Sequence, residues 1–138
     1  MNSGVPGPGE VPLVFLSWSV LLSLLIGLGI IFIGIREFFQ PSVGASQFGV
    51  PLLDAGDGDF LAIKAARDVA SGVLLLALLA LGDRNCVTWA MLALTLIPIF
   101  DGLIVFRHAK WVFMPAIWIH WGTAAAMLVI VGILRAGK

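Results

Sequence analysis

Charge is scarce in this chain. Lys, Arg, Asp and Glu make up only 12% of its 138 residues, about half the share in a soluble domain. The few charges cancel to a formal net charge of zero, with no basic block anywhere, so nucleic acid is not an expected partner. A single cysteine, Cys86, rules out an internal disulfide. No CxxC or Cys/His cluster offers a metal or redox pair, and no cofactor is expected. Gly27, Gly29 and Gly34 miss the GxGxxG spacing and follow no strand, which excludes that dinucleotide fingerprint. The spacing of Asp54, Asp57 and Asp59 misses the EF-hand pattern, which excludes that calcium loop. No Lys or Arg precedes the first apolar run, which is longer than a signal-peptide core and lacks an Ala-x-Ala exit. That run is expected to stay as a membrane helix.

What the chain has is apolar surface: 60% hydrophobic residues and a mean hydropathy of +1.08. One domain of this size cannot hide so much of it, so the lipid bilayer is the expected solvent. Four apolar stretches, 13–35, 60–81, 86–106 and 111–134, are each long enough to cross a hydrocarbon core of about 30 Å. Backbone groups in lipid must be satisfied internally, and these stretches are too few and too long for a barrel. The expected fold is therefore an all-α, up-down-up-down four-helix membrane bundle over 13–135, after a disordered Gly/Pro-rich tail over 1–12. Ser19, Ser23 and Gly27 recur at i+4 and make a small-residue stripe where another helix can approach. Residues 41–59 are expected to form a long loop, with Asp57 or Asp59 capping the next helix. Pro98 frees the carbonyl of Leu94 and is expected to bend the third span. Pro115 fits the first turn of the fourth, and Trp111, Trp118 and Trp121 suit an interfacial belt.

Alternating helix direction brings most of the charges to one end. Lys64, Arg67 and Asp68 open the second span, Asp101 and Arg107 close the third, and His120 opens the fourth. At 1.5 Å per residue, Asp68 lies roughly 12 Å along its helix, Asp101 roughly 9 Å in and His120 roughly 7–8 Å in. Three titratable groups from three helices thus share a layer. An intramembrane charge costs about 2.5–3.5 kcal/mol, so these groups are expected to face inward and pair. Lys64, Asp68, Ser71 and Gly72 share one helix face by i+3 and i+4 spacing. Counting Lys and Arg on the two sides leans toward a cytoplasmic layer with outward termini. Without Lys64 and Arg67 the count is even.

The runs Phe39-Gln-Pro41, Phe48-Gly-Val-Pro51 and Ile63-Lys-Ala-Ala-Arg67-Asp68 with Gly72, then Asp101-Gly102 with Arg107-His108, and His120 followed by Gly122-Thr-Ala-Ala, resemble a group of small four-helix membrane proteins. That group is of unknown function, occurs in bacteria and fungi, and is similar in layout to the DoxX-like class. The resemblance covers nearly everything from Val20 to Arg135. It implies the fold and a role for Arg67, Asp68, Asp101, Arg107 and His120, but no reaction. Some fungal members sit near natural-product genes, which implies secondary metabolism as a setting.

Two functions follow as expectations. In the first, the chain is a cofactor-independent membrane enzyme acting on a lipophilic small molecule by isomerisation, cyclisation or epoxide opening. Asp68 or Asp101 is its acid/base, Arg67 steadies charge and His120 relays a proton. Lys64, Ser71, Arg107 and Trp121 are the candidates for holding the substrate. In the second, the chain is a subunit, scaffold or small transporter, the charges are a structural ion-pair network, and the Ser19/Ser23/Gly27 stripe serves homo-oligomers or a partner helix.

Overall fold

A computed structural model describes residues 17–50, 52–54, 57–108 and 114–136. The expected tail over 1–12, Trp111 and the residues beside it lie outside the described residues. The rest is helical, with no strand among the described residues: α1 (Trp18–Phe39), α2 (Pro41–Phe48), α3 (Asp57–Leu81), α4 (Arg84–Leu94), α5 (Leu96–His108) and α6 (Met114–Arg135).

α1 is built inside out. Its buried residues are Ser19, Ser23, Gly27, Gly34 and Glu37, while Leu25, Leu28 and Phe32 are exposed. Small and polar side chains face the protein and large apolar ones face outward, as expected where the surroundings are hydrocarbon. The stripe is used within the chain. A methyl group on Gly27 would come 2.9 Å from Leu76 of α3, and one on Gly72 would come 2.6 Å from the Gly27 carbonyl. Gly72→Val therefore forces α1 and α3 apart and is expected to cost about 1–3 kcal/mol. Detergent denaturation of the purified variant checks this, and an unchanged midpoint would contradict the close approach.

Three helical stretches, Trp18–Phe39, Arg84–His108 and Pro115–Arg135, are long and apolar enough to cross a membrane. α3 falls short of that composition for a definite reason. Its first half carries Lys64, Arg67 and Asp68 in addition to Asp57 and Asp59.

The expected third span is one rod in length but two helices in structure. α4 ends at Leu94, Thr95 forms a turn and α5 resumes at Leu96. Pro98 explains the break, because its nitrogen cannot donate to the Leu94 carbonyl. Asp83 caps α4, its carboxylate accepting from the N–H groups of Asn85 at 2.8 Å and Cys86 at 3.2 Å. The Cys86 thiol, then the backbone N–H groups of Cys86 and Asn85, hold this carboxyl below the usual carboxylate range.

The expected loop over 41–59 is a correction. Its first half is the helix α2, set off from α1 by Gln40 and by Pro41 at the first helical position, where proline fits. Gly49, at φ 94°, closes α2 in the left-handed conformation that favours glycine. A side chain there would strike Ala116 at 2.8 Å and Val105 at 2.9 Å, so the end of α2 is pressed onto α5 and α6. Asp57 is the first residue of α3. Its carboxylate accepts from the N–H groups of Leu53 at 2.7 Å and Asp54 at 3.0 Å.

α1 packs mainly along α3 and α5 along α6, while α4 joins α3 to α6. Where all three meet, Leu75, Leu79, Val87, Met91, Met127, Ile130, Val131 and Leu134 form the main core. Toward the charged end the two pairs leave a space between them.

Candidate functional site

That space is a cavity of about 610 Å³, within the range of small-molecule sites. Its apolar wall includes Ile30 and Ile33 of α1, Leu94 of α4, Ile97 and Pro98 of α5, and Ile119 and Met127 of α6. Its polar wall holds Glu37, Lys64, Asp68, Ser71, Asp101 and His120, and α2 contributes Ser46, Gln47 and Phe48.

The charges form one chain through four ion pairs. Lys64 Nζ lies 2.7 Å from Glu37 Oε2 and 2.7 Å from Asp68 Oδ2. Arg67 donates to Asp68 Oδ1 from Nε at 3.1 Å and Nη2 at 3.0 Å. Nη2 also reaches Asp101, 3.1 Å from Oδ2 and 3.5 Å from Oδ1. The order is Glu37–Lys64–Asp68–Arg67–Asp101, drawn from α1, α3 and α5. Glu37, Asp68 and Asp101 are buried, whereas the Arg67 side chain is 41% exposed. Arg67 is therefore where the chain meets the outside, and it is not part of the cavity wall. The two outer carboxylates are tied to a single cation each, and Asp68 to two. Leaving one of these charges without its partner is far costlier than any gain from forming the pair.

Local sequence explains each position. Lys64 and Asp68 are one helical turn apart on α3. Ser71 returns its hydroxyl to the Arg67 carbonyl at 2.7 Å. His120 Nε2 lies 3.3 Å from the Phe48 carbonyl; because a carbonyl only accepts, Nε2 carries the proton in this contact. The Phe48 ring meets His120 edge-on at 5.0 Å and lies 5.0 Å from Lys64 Nζ, a cation–π approach. α2 thereby seats an aromatic ring at the charged end of the cavity. Arg36 donates to Gln47 at 3.0 Å and holds α2 from the other side.

The structure thus brings Asp68, Asp101, His120, Lys64 and Ser71 into one cavity wall, with Arg67 bridging behind them. Arg107 does not join them; it is exposed and outside the wall. Six residues separate it from Asp101, a rotation of about 240° at 3.6 residues per turn, so it points away. Trp121 lies one residue past His120, about 100° around the helix. It packs against Gly102 and, at 6.1 Å between ring centroids, against Phe106 of α5. Trp121 is therefore wedged between helices rather than set in the cavity.

Glu37 was not among the sequence candidates, because with Arg36 it reads as a solvated helix end. The signal was present: Ser19, Ser23, Gly27 and Gly34 define the inward stripe, and Glu37 continues it at i+3. Phe48 was also missed, since a helix over 41–48 has no periodic apolar face to announce it.

A family model described as a domain of unknown function, DUF4267, matches residues 27–134. The chain belongs to that family. The match takes in every residue of the ion-pair chain, the cavity wall and α2. No curated protein and no solved structure matches it.

Proposed function

We propose that this DUF4267 chain crosses the bilayer four times, through α1, α3, α4 with α5, and α6, as a membrane-embedded enzyme acting on a lipophilic small molecule. α3 completes the set because its charges are paired with α1 and α5 instead of facing lipid. The observation that carries the reading is the cavity itself, with apolar side chains along most of its wall and an acid/base layer at one end. A wall of that kind holds a hydrophobic body and presents its reactive end to Asp101 and His120.

Among the carboxylates, Asp101 suits proton transfer best. Asp68 has both oxygens engaged by Lys64 and Arg67, whereas Asp101 is held by Arg67 alone. Asp101 can exchange a proton without releasing two cations at once, and His120 offers a second site for it. Isomerisation, ring closure or epoxide opening by proton transfer fits these groups. A non-enzymatic role as a subunit, scaffold or small transporter draws on the same ion pairs, because Asp68 is saturated as a structural group would be.

Disruption of the gene, with profiling of lipophilic metabolites, tests the choice. We expect one apolar precursor to accumulate, and re-expression of the wild-type chain to clear it while Asp101→Asn does not. An unchanged metabolite profile in the disrupted strain contradicts the enzyme.

A further inference from the structure

We propose that the occupant of the cavity is an amphiphile with a single positive charge, a lipophilic amine whose ammonium group is held by the acidic side of the cavity wall. This rests on the reading of the cavity as a ligand site and names what enters it. Two features of the ion-pair chain carry it.

The first is charge. With all three ionised, Glu37, Asp68 and Asp101 set three carboxylates against two cations, Lys64 and Arg67, one negative charge in excess. At membrane depth an unmatched charge is unfavourable, and a monocation restores the balance.

The second is the supply of donors and acceptors. Lys64 spends two donors on Glu37 and Asp68 and turns toward the Phe48 ring. Arg67 directs Nε and Nη2 to Asp68 and Asp101 from behind the wall. Among the acidic groups of the wall the remaining capacity is for accepting, and the amide of Gln47 is the neutral donor beside them. Among the described residues Glu37 Oε1 receives no hydrogen bond, and Asp101 Oδ1 has only the 3.5 Å contact. With Nε2 on the Phe48 carbonyl, neutral His120 adds a further acceptor at Nδ1. Such a wall favours an N⁺–H donor, whose bonds to carboxylates are strong. An anionic head would meet carboxylates and find the cations already engaged.

The apolar end suits the tail. Ile33 and Ile119 line the cavity and are 48% and 61% exposed. An alkyl chain can lie along these side chains and the deeper Ile30, Leu94 and Met127.

Calorimetric titration of the full-length protein in neutral-lipid nanodiscs at neutral pH, with empty discs subtracted, tests this with octylamine, octanol and octanoate. We expect octylamine to bind at least about tenfold more tightly than octanol, and octanoate not to bind. Asp101→Asn and Glu37→Gln are each expected to bring octylamine to the level of octanol. If a variant fails to fold, the wild-type comparison decides alone. Octanol or octanoate binding as tightly as the amine overturns the charge preference and leaves the cavity reading standing. No binding of any of the three above empty discs overturns both.

Discussion

Lys64→Met is expected to destabilise the folded protein by about 3–5 kcal/mol, the cost of breaking a buried ion pair from one side. Methionine fits the stem of the lysine, so lost packing contributes little. What is lost is the ammonium between Glu37 Oε2 and Asp68 Oδ2, each 2.7 Å away. Asp68 keeps Arg67, but Glu37 loses its one partner and the chain is left with a single cation against three carboxylates. Adding Glu37→Gln removes the stranded charge. The double variant is therefore expected to recover much of the loss, as contacting groups behave in a double-mutant cycle. Denaturation midpoints in one detergent, compared for both single variants and the pair, measure this. A double variant no more stable than Lys64→Met alone would mean that the stranded carboxylate is not the cause.

Asp101→Asn is expected to separate chemistry from folding. Asparagine keeps the volume and one carbonyl oxygen for Arg67, which also retains Asp68, so stability should change by less than about 1 kcal/mol. Turnover of the accumulated precursor in isolated membranes should fall by about 10²–10⁴, the usual contribution of a positioned acid or base. Asp68→Asn has the opposite signature, because two cations lose their shared counter-charge and the fold suffers first. Asp101→Asn membranes that convert the precursor at the wild-type rate would remove Asp101 from the chemistry.

The sequence made the helical, membrane-like character legible because its cause is local: long apolar runs, few charges and breakers at the ends. It also made an inward-facing charged layer legible, with Lys64 and Asp68 on one face from their i+4 spacing and Asp101 and His120 from their depth. The break at Thr95 followed from Pro98. What was hidden depends on contacts between elements. α2 is a single short segment that a helix propensity alone would not sustain. It holds because Gly44 lies against Glu37 and Gly49 against Val105 and Ala116. Glu37 was concealed by its neighbour, since a terminal Arg-Glu pair reads as solvated unless its phase is followed from Ser19 onward. Arg107, which closes the third span in the sequence, is exposed and lies outside the cavity wall because its angle about the helix differs from that of Asp101.

The lone thiol of Cys86 sits exposed at the start of α4, beyond the turn from α3. The apolar stretch Arg84–His108 separates it from the end of α5 near which Asp101 lies. It is a built-in reporter of sidedness. On the proposed topology, a membrane-impermeant maleimide applied to sealed vesicles is expected to label it from one compartment only, the one away from Glu37, Lys64 and Asp101; labelling from the other compartment would contradict that topology.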